Sequence, residues 1–177
     1  MKSQNAPLIG IDRHRLATDG DGITTLVAFH GCPLRCAYCI NSQCFKEKPV
    51  GSITIEELLG RLMTDNLYFL ATGGGVTFGG GEPLLYSDFI ALFAQQMPKE
   101  WNITIETSLN VPIRNLMDVA LYTKLLVIDI KDMNTDIYKR YTGKDNSNVM
   151  SNYSVTSAND LSLPLYQPPC QSTRYRQ

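Results

Sequence analysis

Short apolar runs rich in β-branched residues alternate along this chain with segments in which apolar residues recur at helical spacing. Four of these runs predict buried strands, at residues 24–30, 76–78, 103–107 and 125–131. A helical pattern follows each run. Strands that alternate with helices in this way lie parallel and are joined by right-handed crossovers. The sequence therefore predicts an α/β fold with a parallel sheet of about four βα units.

The predicted helices are defined by their capping residues. Thr54 suits an N-cap, with Glu57 three residues later as its capping-box partner. Ser87 is predicted to cap a second helix, and Pro112 suits the first turn of a third. Gly143 is a natural residue just beyond the end of a fourth, short helix.

Both ends of the chain lack such patterns. Residues 1–23 are predicted to be irregular and polar, with a tight turn at TDGDG, residues 18–22. From Asp145 onwards the chain is rich in Ser and Asn and shows neither strand nor helix periodicity. We therefore expect a core domain over residues 1–144 and an irregular tail, disordered or frame-shifted, over residues 145–177.

Charge and cysteine content narrow the class of protein. The formal net charge is −1, which gives no electrostatic reason to expect nucleic acid or a membrane surface as a partner. No apolar run approaches the roughly 20 residues that span a bilayer, and the N-terminus lacks the apolar stretch of a signal peptide. Five cysteines, three of them clustered, do not suit a secreted disulfide framework. We expect a cytoplasmic protein whose clustered cysteines bind metal or do redox chemistry.

The clustered cysteines are Cys32, Cys36 and Cys39, in the stretch GCPLRCAYC directly after the first predicted strand. Three thiolates on one short loop can bind a single metal centre. A [4Fe–4S] cluster has four irons that each take one thiolate, so three cysteines leave one iron open to a substrate or cofactor. The alternatives are a zinc site that recruits Cys44 as fourth ligand, and purely structural thiols. Zinc sites usually add a second, distant pair of ligands, which this chain lacks, and this favours the cluster.

Other unusual residues also follow predicted strands, and ligands of open α/β sheets bind at the carboxyl ends of parallel strands. The residues expected there, beyond the cysteine loop, are Gly79, Gly80, Gly81, Glu82, Glu106, Thr107, Ser108, Asp129 and Lys131. Asp129 lies within an apolar run, where an unpaired carboxylate is costly, so it should have a cation, a lysine or a hydrogen-bond donor as its partner. Four strand ends thus converge on one predicted site.

Several motifs resemble those of one enzyme family. The Cys-x3-Cys-x2-Cys spacing, with Tyr38 before the third cysteine, and the later GGE resemble the radical S-adenosylmethionine (SAM) superfamily. TDGDG, GGGVTFGGGEP, ETSLN and VIDIKDMN, in this order, are similar to the glycyl-radical-enzyme activating enzymes of the pyruvate formate-lyase activase type. The resemblance extends from about Ile11 to Gly143.

This resemblance implies the cofactors and the reaction. Cys32, Cys36 and Cys39 would ligate a [4Fe–4S] cluster whose open iron chelates SAM. Reductive cleavage of SAM would give methionine and a 5′-deoxyadenosyl radical, which takes a hydrogen atom from a glycine of the partner, a glycyl radical enzyme. The chain has no further cysteine-rich insert after the motif, so an external one-electron donor such as flavodoxin or ferredoxin would reduce the cluster, under anaerobic conditions.

The resemblance also assigns residues to the adenine end of SAM. Tyr38 and the backbone of Cys39 and Ile40 would lie against the adenine. Without the family context, Tyr38 is equally well explained as a half-buried aromatic side chain. The family often has His after the third cysteine, where this chain has Ile40.

Other residues are assigned to the methionine end. Gly80 and Gly81 lack Cβ atoms, so their backbone would approach this end closely. Glu82 would help to place the ammonium group, and Lys131 would reach the carboxylate. The ordinary alternatives are a glycine-rich turn before a helix and a solvated lysine at a strand end.

Two further assignments concern carboxylates. Asp129, Glu106, Thr107 and the backbone of Val127 match a monovalent-cation site of the activase type, which usually has Asp where this chain has Glu106. Asp19, in TDGDG, matches a catalytic position near the partner's glycine loop, with a plain turn aspartate as the alternative.

The resemblance ends before the family fold is complete. That fold is a partial barrel of six βα units, of which this chain has about four, and its tail does not resemble the missing units. We therefore expect an incomplete barrel from a truncated or frame-shifted product. The alternative function is that of a catalytically inactive fragment that binds an iron–sulfur cluster or zinc. Cys44 and Cys170 have no assigned role.

Overall fold

The computed structural model describes residues 5–16, 19–157 and 165–166. Its strands are β1 (Asn5–Arg15), β2 (Thr24–Phe29), β3 (Gly51–Thr54), β4 (Gly75–Gly80), β5 (Asn102–Thr107), β6 (Leu125–Ile128) and β7 (Leu165–Tyr166). Its α-helices are α1 (Ile55–Leu62), α2 (Asn66–Thr72), α3 (Ser87–Ala94), α4 (Ile113–Ala120), α5 (Thr135–Thr142) and α6 (Ser147–Ser157). Short 3-10 helices cover Ser42–Phe45, Met63–Asp65 and Pro83–Tyr86.

Within the described residues the strands form one seven-stranded sheet in the order β3-β1-β2-β4-β5-β6-β7. The five strands from β2 to β7 in this order run parallel, with Phe78 of β4 opposite Val27 on one side and Ile105 on the other. The predicted α/β fold with a mostly parallel sheet is confirmed, and its four predicted strands are β2, β4, β5 and β6. The two-residue strand β7 adds a parallel neighbour to β6.

Strand β1 is where the prediction of an irregular N-terminal segment was wrong. β1 pairs antiparallel with β2 and with β3. Ala6 and Leu8 are buried in the core. The second half of β1 is charged, and there Arg13 Nε donates to Oδ1 of the buried Asp65 at 2.9 Å. This charged half interrupts the apolar alternation, and its partner lies far along the chain, which is why the sequence pattern did not reveal a strand.

The core is formed by buried residues of the sheet and of helices α1, α3 and α4, and it contains a cluster of four phenylalanines. Phe29 and Phe78, on adjacent strands, stack with their ring centroids 5.6 Å apart. Phe89 and Phe93 of α3 meet these rings edge-on, at 5.9 Å and 5.5 Å. All four side chains are fully buried, and each contributes about 1.5–3 kcal/mol through burial of apolar surface. This packing fixes the ends of β2 and β4. The cysteine loop (residues 31–39) follows β2, and the glycine motif (residues 79–82) begins at the end of β4.

The caps show where local sequence signals decided the helix ends. Thr54 and Glu57 form the predicted capping box of α1, and Gly143 ends α5 with φ of +74°. Ser87 is not the N-cap of α3, because it is already the first residue of that helix, and its hydroxyl donates to Asp118 at 3.2 Å. Pro112 occupies the N-cap position of α4 rather than its first turn. No helix among the described residues is long and apolar enough to cross a membrane.

Helix α6 lies in the segment predicted to be irregular, so that prediction was wrong for residues 147–157. Val149 is fully buried, and Asn152 Nδ2 donates to the carbonyl oxygens of Leu109 at 2.9 Å and Val111 at 2.8 Å. A buried asparagine at the centre of the contact weakens the apolar period that would have indicated a helix. Residues 158–164 and 167–177, with Cys170, lie outside the described part of the chain. A domain boundary at residue 144 stays a prediction.

Candidate active site

A cavity of about 850 Å³ lies at the carboxyl ends of the parallel strands. Its wall contains the cysteine loop after β2, the glycines after β4, the end of β5 and the residues after β6. The volume falls in the range of about 300–1,000 Å³ typical of small-molecule sites. The structure thus brings together residues from four strand ends, including Cys32, Tyr38, Gly80, Glu106 and Lys131.

The cysteine loop closes on itself and on helix α5. Gly31, with φ of +92°, begins the loop, and its N–H donates to the Cys44 carbonyl at 3.2 Å. The Arg35 N–H donates to Thr142 O at 2.8 Å, and the Ala37 N–H donates to Tyr141 O at 2.9 Å, so two amides of the loop satisfy carbonyls in the last turn of α5. The backbone that carries the thiols is therefore ordered by the protein itself.

The thiols of this loop are free, and burial disfavours the ionisation of Cys32 and Cys36. Burial raises the pKa of Cys32 to about 12 and that of Cys44 to about 11. Burial also raises the pKa of Cys36, against the effect of the nearby Lys131 charge. In the described residues no three His, Cys, Asp or Glu side chains are already arranged to hold a metal ion. Metal binding must therefore turn the thiols together and release their protons.

The glycines after β4 are required by the contact between β4 and β2. A Cβ on Gly80, where φ is +95°, would lie 2.8 Å from Cα of Ala28. A Cβ on Gly81 would lie 2.0 Å from the carbonyl oxygen of Gly31, at the start of the cysteine loop. The missing Cβ atoms allow the glycine motif to pack against the cysteine loop. Both glycines also line the cavity, and the close approach of their backbone to the methionine end of SAM stays a prediction.

Glu82 is buried, and the donors around its carboxylate come from the protein. Oε1 accepts from Thr107 Oγ1 at 2.7 Å and from Leu84 N at 3.2 Å. Oε2 accepts from Ser108 N at 2.9 Å and from Ser108 Oγ at 2.6 Å. Burial raises the pKa of Glu82, and these hydrogen bonds oppose that effect. The carboxylate joins the glycine motif to the end of β5, and its predicted contact with an ammonium group stays a prediction.

Lys131 and Asp129 face the cysteine loop from the end of β6. Lys131 Nζ pairs with Asp129 Oδ2, so the partner expected for this carboxylate is a lysine. The same ammonium lies 5.9 Å from the centroid of the Tyr38 ring, which in turn contacts Tyr141. Ile40, next to the third cysteine, is 92% exposed at the cavity wall. Tyr38 and Lys131 therefore line the cavity together, and their contacts with SAM stay predictions.

Asp19 and Glu106 are neighbouring carboxylates, and of the two only Glu106 lines the cavity. The Asp19 side chain is fully buried and pairs with Arg15, whose Nη2 donates to Oδ1 at 2.8 Å. Burial raises the pKa of Glu106 to about 7, the charges of Asp19 and Asp129 add to this effect, and Arg15 opposes it. Arg15 was missed from the sequence, where only its spacing of four residues before Asp19 could have indicated an ion pair. The cation site and the contact of Asp19 with a partner stay predictions.

The donor set of the cavity fits the group that the motif implies. Four free cysteines line the cavity, and soft thiolate ligands suit iron–sulfur clusters. A lysine and acidic side chains also line it, and they match the charged groups of an amino-acid-like cofactor. Cys32, Cys36 and Cys39 would hold the cluster, and the remaining volume would take the cofactor.

Comparison with known proteins agrees with this geometry. Residues 26–155 match the radical SAM superfamily. The pyruvate formate-lyase-activating enzyme of Clostridium pasteurianum is 38% identical over 126 residues, which are 71% of this chain and 53% of that protein. The enzyme of the same name from Staphylococcus aureus (strain USA300) is 33% identical over 141 residues, 75% of this chain and 56% of that protein. The chain therefore spans about half the length of these relatives.

A solved structure gives the same picture of the fold. The crystal structure of QueE from Escherichia coli superposes with a TM-score of 0.53, covering 97% of this chain and 90% of that one. The two sequences are 14% identical, so the likeness concerns the fold alone. Together with the family match over residues 26–155, the cysteine motif on the rim of a parallel sheet leads to one conclusion: the chain belongs to the radical SAM superfamily.

Proposed function

We propose that this chain is a radical SAM activase, which cleaves SAM reductively and generates a glycyl radical on a partner enzyme. The observation that carries the proposal is the position of Cys32, Cys36 and Cys39 in the wall of a cavity at the carboxyl ends of parallel strands. Two relatives named pyruvate formate-lyase-activating enzyme support the choice of a glycyl radical enzyme as substrate. The 5′-deoxyadenosyl radical would take its hydrogen atom from a glycine of that partner.

In this proposal three cysteines hold the cluster, which supplies the electron that breaks the sulfonium bond of SAM. The raised thiol pKa values mean that the chain binds the cluster with release of protons, so loading should be favoured by higher pH. The backbone hydrogen bonds from the loop to α5 keep the thiols on the cavity side. An external donor such as flavodoxin or ferredoxin would provide the electron.

Other residues that line the cavity would orient SAM. Lys131 pairs with Asp129, and its flexible ammonium would shift from that carboxylate to the carboxylate of the cofactor. Tyr38 would lie against the adenine, beside the exposed Ile40. Glu106 and Asp129 would bind a monovalent cation in place of the proton that the raised pKa of Glu106 favours. The free thiols suit a reducing, anaerobic cytoplasm.

The proposal is tested by anaerobic reconstitution with iron and sulfide, followed by reduction in the presence of SAM and measurement of 5′-deoxyadenosine. We expect product from the loaded chain and none from Cys36→Ala. The second step is measured by electron paramagnetic resonance, as a glycyl radical on added pyruvate formate-lyase. A loaded cluster that gives no 5′-deoxyadenosine would refute the activity, and product without a radical on the partner would refute only the choice of partner.

A metal-binding chain without catalysis is the second candidate, and its support is that four free cysteines line one cavity, a donor set that also suits zinc. Metal analysis and a visible spectrum separate the two. A colourless chain that binds zinc in place of an iron–sulfur cluster favours this second function. Loading with iron and sulfide followed by SAM cleavage excludes it.

A further inference from the structure

Cys44 is a buried thiol that the proposed function leaves without a role. It lies in the 3-10 helix Ser42–Phe45, is only 2% exposed and lines the same cavity as Cys32, Cys36 and Cys39. Buried cysteines are most often small apolar members of a core. Among the described residues, however, Cys44 does not belong to the hydrophobic core cluster. Its side chain instead lines the cavity, as does that of Cys39.

Hydrogen bonds tie the segment that carries Cys44 to the cysteine loop and to the glycine motif. The Cys44 N–H donates to Asn41 O at 2.9 Å, and the Cys44 carbonyl accepts from Gly31 N at 3.2 Å. Asn41 Nδ2 in turn donates to Gly80 O at 3.0 Å. The segment after the third cysteine thus returns to the start of the loop and to the glycine motif. This path places a fourth cysteine in the wall of the cavity rather than in solvent.

We propose that Cys44 supplies the fourth thiolate of the cluster while SAM is absent, and that SAM displaces it. The inference rests on the proposed function, since it requires a [4Fe–4S] cluster on Cys32, Cys36 and Cys39. Four irons then carry four thiolates, as in closed clusters. Cys44 loses its proton when its sulfur binds the iron. When the amino and carboxylate groups of SAM take that iron, the Cys44 thiolate leaves and regains a proton, and no electron is transferred.

In this role Cys44 would keep the fourth iron in the cluster until SAM binds. An iron without a protein ligand is the one that a [4Fe–4S] cluster loses most easily on oxidation, which leaves a [3Fe–4S] cluster. A thiolate on that iron retains it until the cofactor arrives. Because Cys44 and Cys39 line the same cavity, the exchange needs rotation of side chains and no rearrangement of the sheet.

The test compares the iron-loaded wild-type chain with Cys44→Ala and with Ser42→Ala, a matched control in the same 3-10 helix. Each is treated with ferricyanide under argon without SAM, and the [3Fe–4S] signal and the iron content per chain are measured. We expect the wild-type chain and Ser42→Ala to keep their iron, and Cys44→Ala to give a several-fold larger [3Fe–4S] signal. SAM added before the oxidant should protect Cys44→Ala to the level of the wild-type chain.

Several results would overturn this inference. Extensive conversion of the wild-type cluster without SAM would do so, and this readout does not depend on whether Cys44→Ala folds. Equal retention of iron in the wild-type chain and Cys44→Ala would also do so, while the proposed function would stand because a cluster is present. A Cys39–Cys44 disulfide in the iron-loaded anaerobic chain, found by peptide mass mapping, would exclude Cys44 as a ligand. Failure of any cluster to assemble would overturn both proposals.

Discussion

Replacing Glu82 tests how the site is built, because this one carboxylate joins two strand ends. It accepts hydrogen bonds from Leu84 N, Thr107 Oγ1, and both the N–H and the hydroxyl of Ser108. The perturbation is Glu82→Ala. It removes the carboxylate that accepts all four hydrogen bonds, and the alanine side chain is too short to reach β5.

The expected loss of stability in Glu82→Ala depends on which donors lose their acceptor. The two hydroxyls can rotate to other acceptors, but the N–H groups of Leu84 and Ser108 are fixed by the backbone. Each buried donor left unsatisfied costs about 1–3 kcal/mol. Loss of the buried carboxylate relieves its desolvation, the effect that raises the pKa of Glu82, and this reduces the sum. We expect Glu82→Ala to lower the free energy of unfolding by about 3 kcal/mol, a large share of the roughly 5–15 kcal/mol typical of a domain.

The assay is urea denaturation of the metal-free chain, followed by circular dichroism and extrapolated linearly to zero urea. Glu57→Ala is the matched control, because Glu57 is exposed and its carboxylate accepts the Thr54 N–H in the α1 capping box. We expect a much smaller loss of stability from the control. If Glu82→Ala lost no more than Glu57→Ala, the view that Glu82 holds the glycine motif to β5 would be refuted.

Three further substitutions address other parts of the cavity. Gly81→Ala should destabilise the chain and prevent cluster loading, because its Cβ would meet Gly31 O at 2.0 Å; iron content after reconstitution checks this, and normal loading would contradict it. Lys131→Met should weaken SAM binding to the loaded chain several-fold in equilibrium dialysis, whereas unchanged binding would exclude the carboxylate contact. Glu106→Gln should stabilise the chain relative to wild type at about pH 8 but not at about pH 5. The pKa of Glu106 is raised to about 7, so the folded state favours the protonated carboxyl. The wild-type chain therefore loses stability as pH rises through that value, and the uncharged glutamine does not. Urea unfolding at both pH values measures the difference, and an equal difference at both would show that Glu106 does not titrate as described.

The parallel half of the fold could be predicted because its signals are local. Each of β2, β4, β5 and β6 is a short apolar run, and the capping box of Thr54 and the C-terminal Gly143 lie next to the helices that they bound. Strand β1 and helix α6 depend on distant partners. Arg13 reaches Asp65, and Asn152 reaches Leu109 and Val111, so no window of sequence contains both members of either contact.

In the candidate site, too, the sequence predicts the local features and not the contacts between distant residues. The spacing of the cysteines places three thiols on one loop, and the strand order brings that loop to the glycine motif. The sequence could not show that the donors to Glu82 come from Thr107 and Ser108, or that Asp19 is buried against Arg15. These partners are chosen by the three-dimensional packing of strand ends, where a polar side chain takes whichever donor lies within reach.

The hydrogen bonds between the cysteine loop and the last turn of α5 determine when the backbone of that loop becomes ordered. A flexible loop loses conformational entropy worth about 1–2 kcal/mol per residue when its backbone becomes fixed. Here the amides of Arg35 and Ala37 are already bound to Thr142 and Tyr141 before any metal arrives. Much of that entropy is therefore lost when the chain folds, and less remains to be lost when the cluster enters. The affinity for the cluster thus depends in part on α5, a helix that contributes no ligand to it.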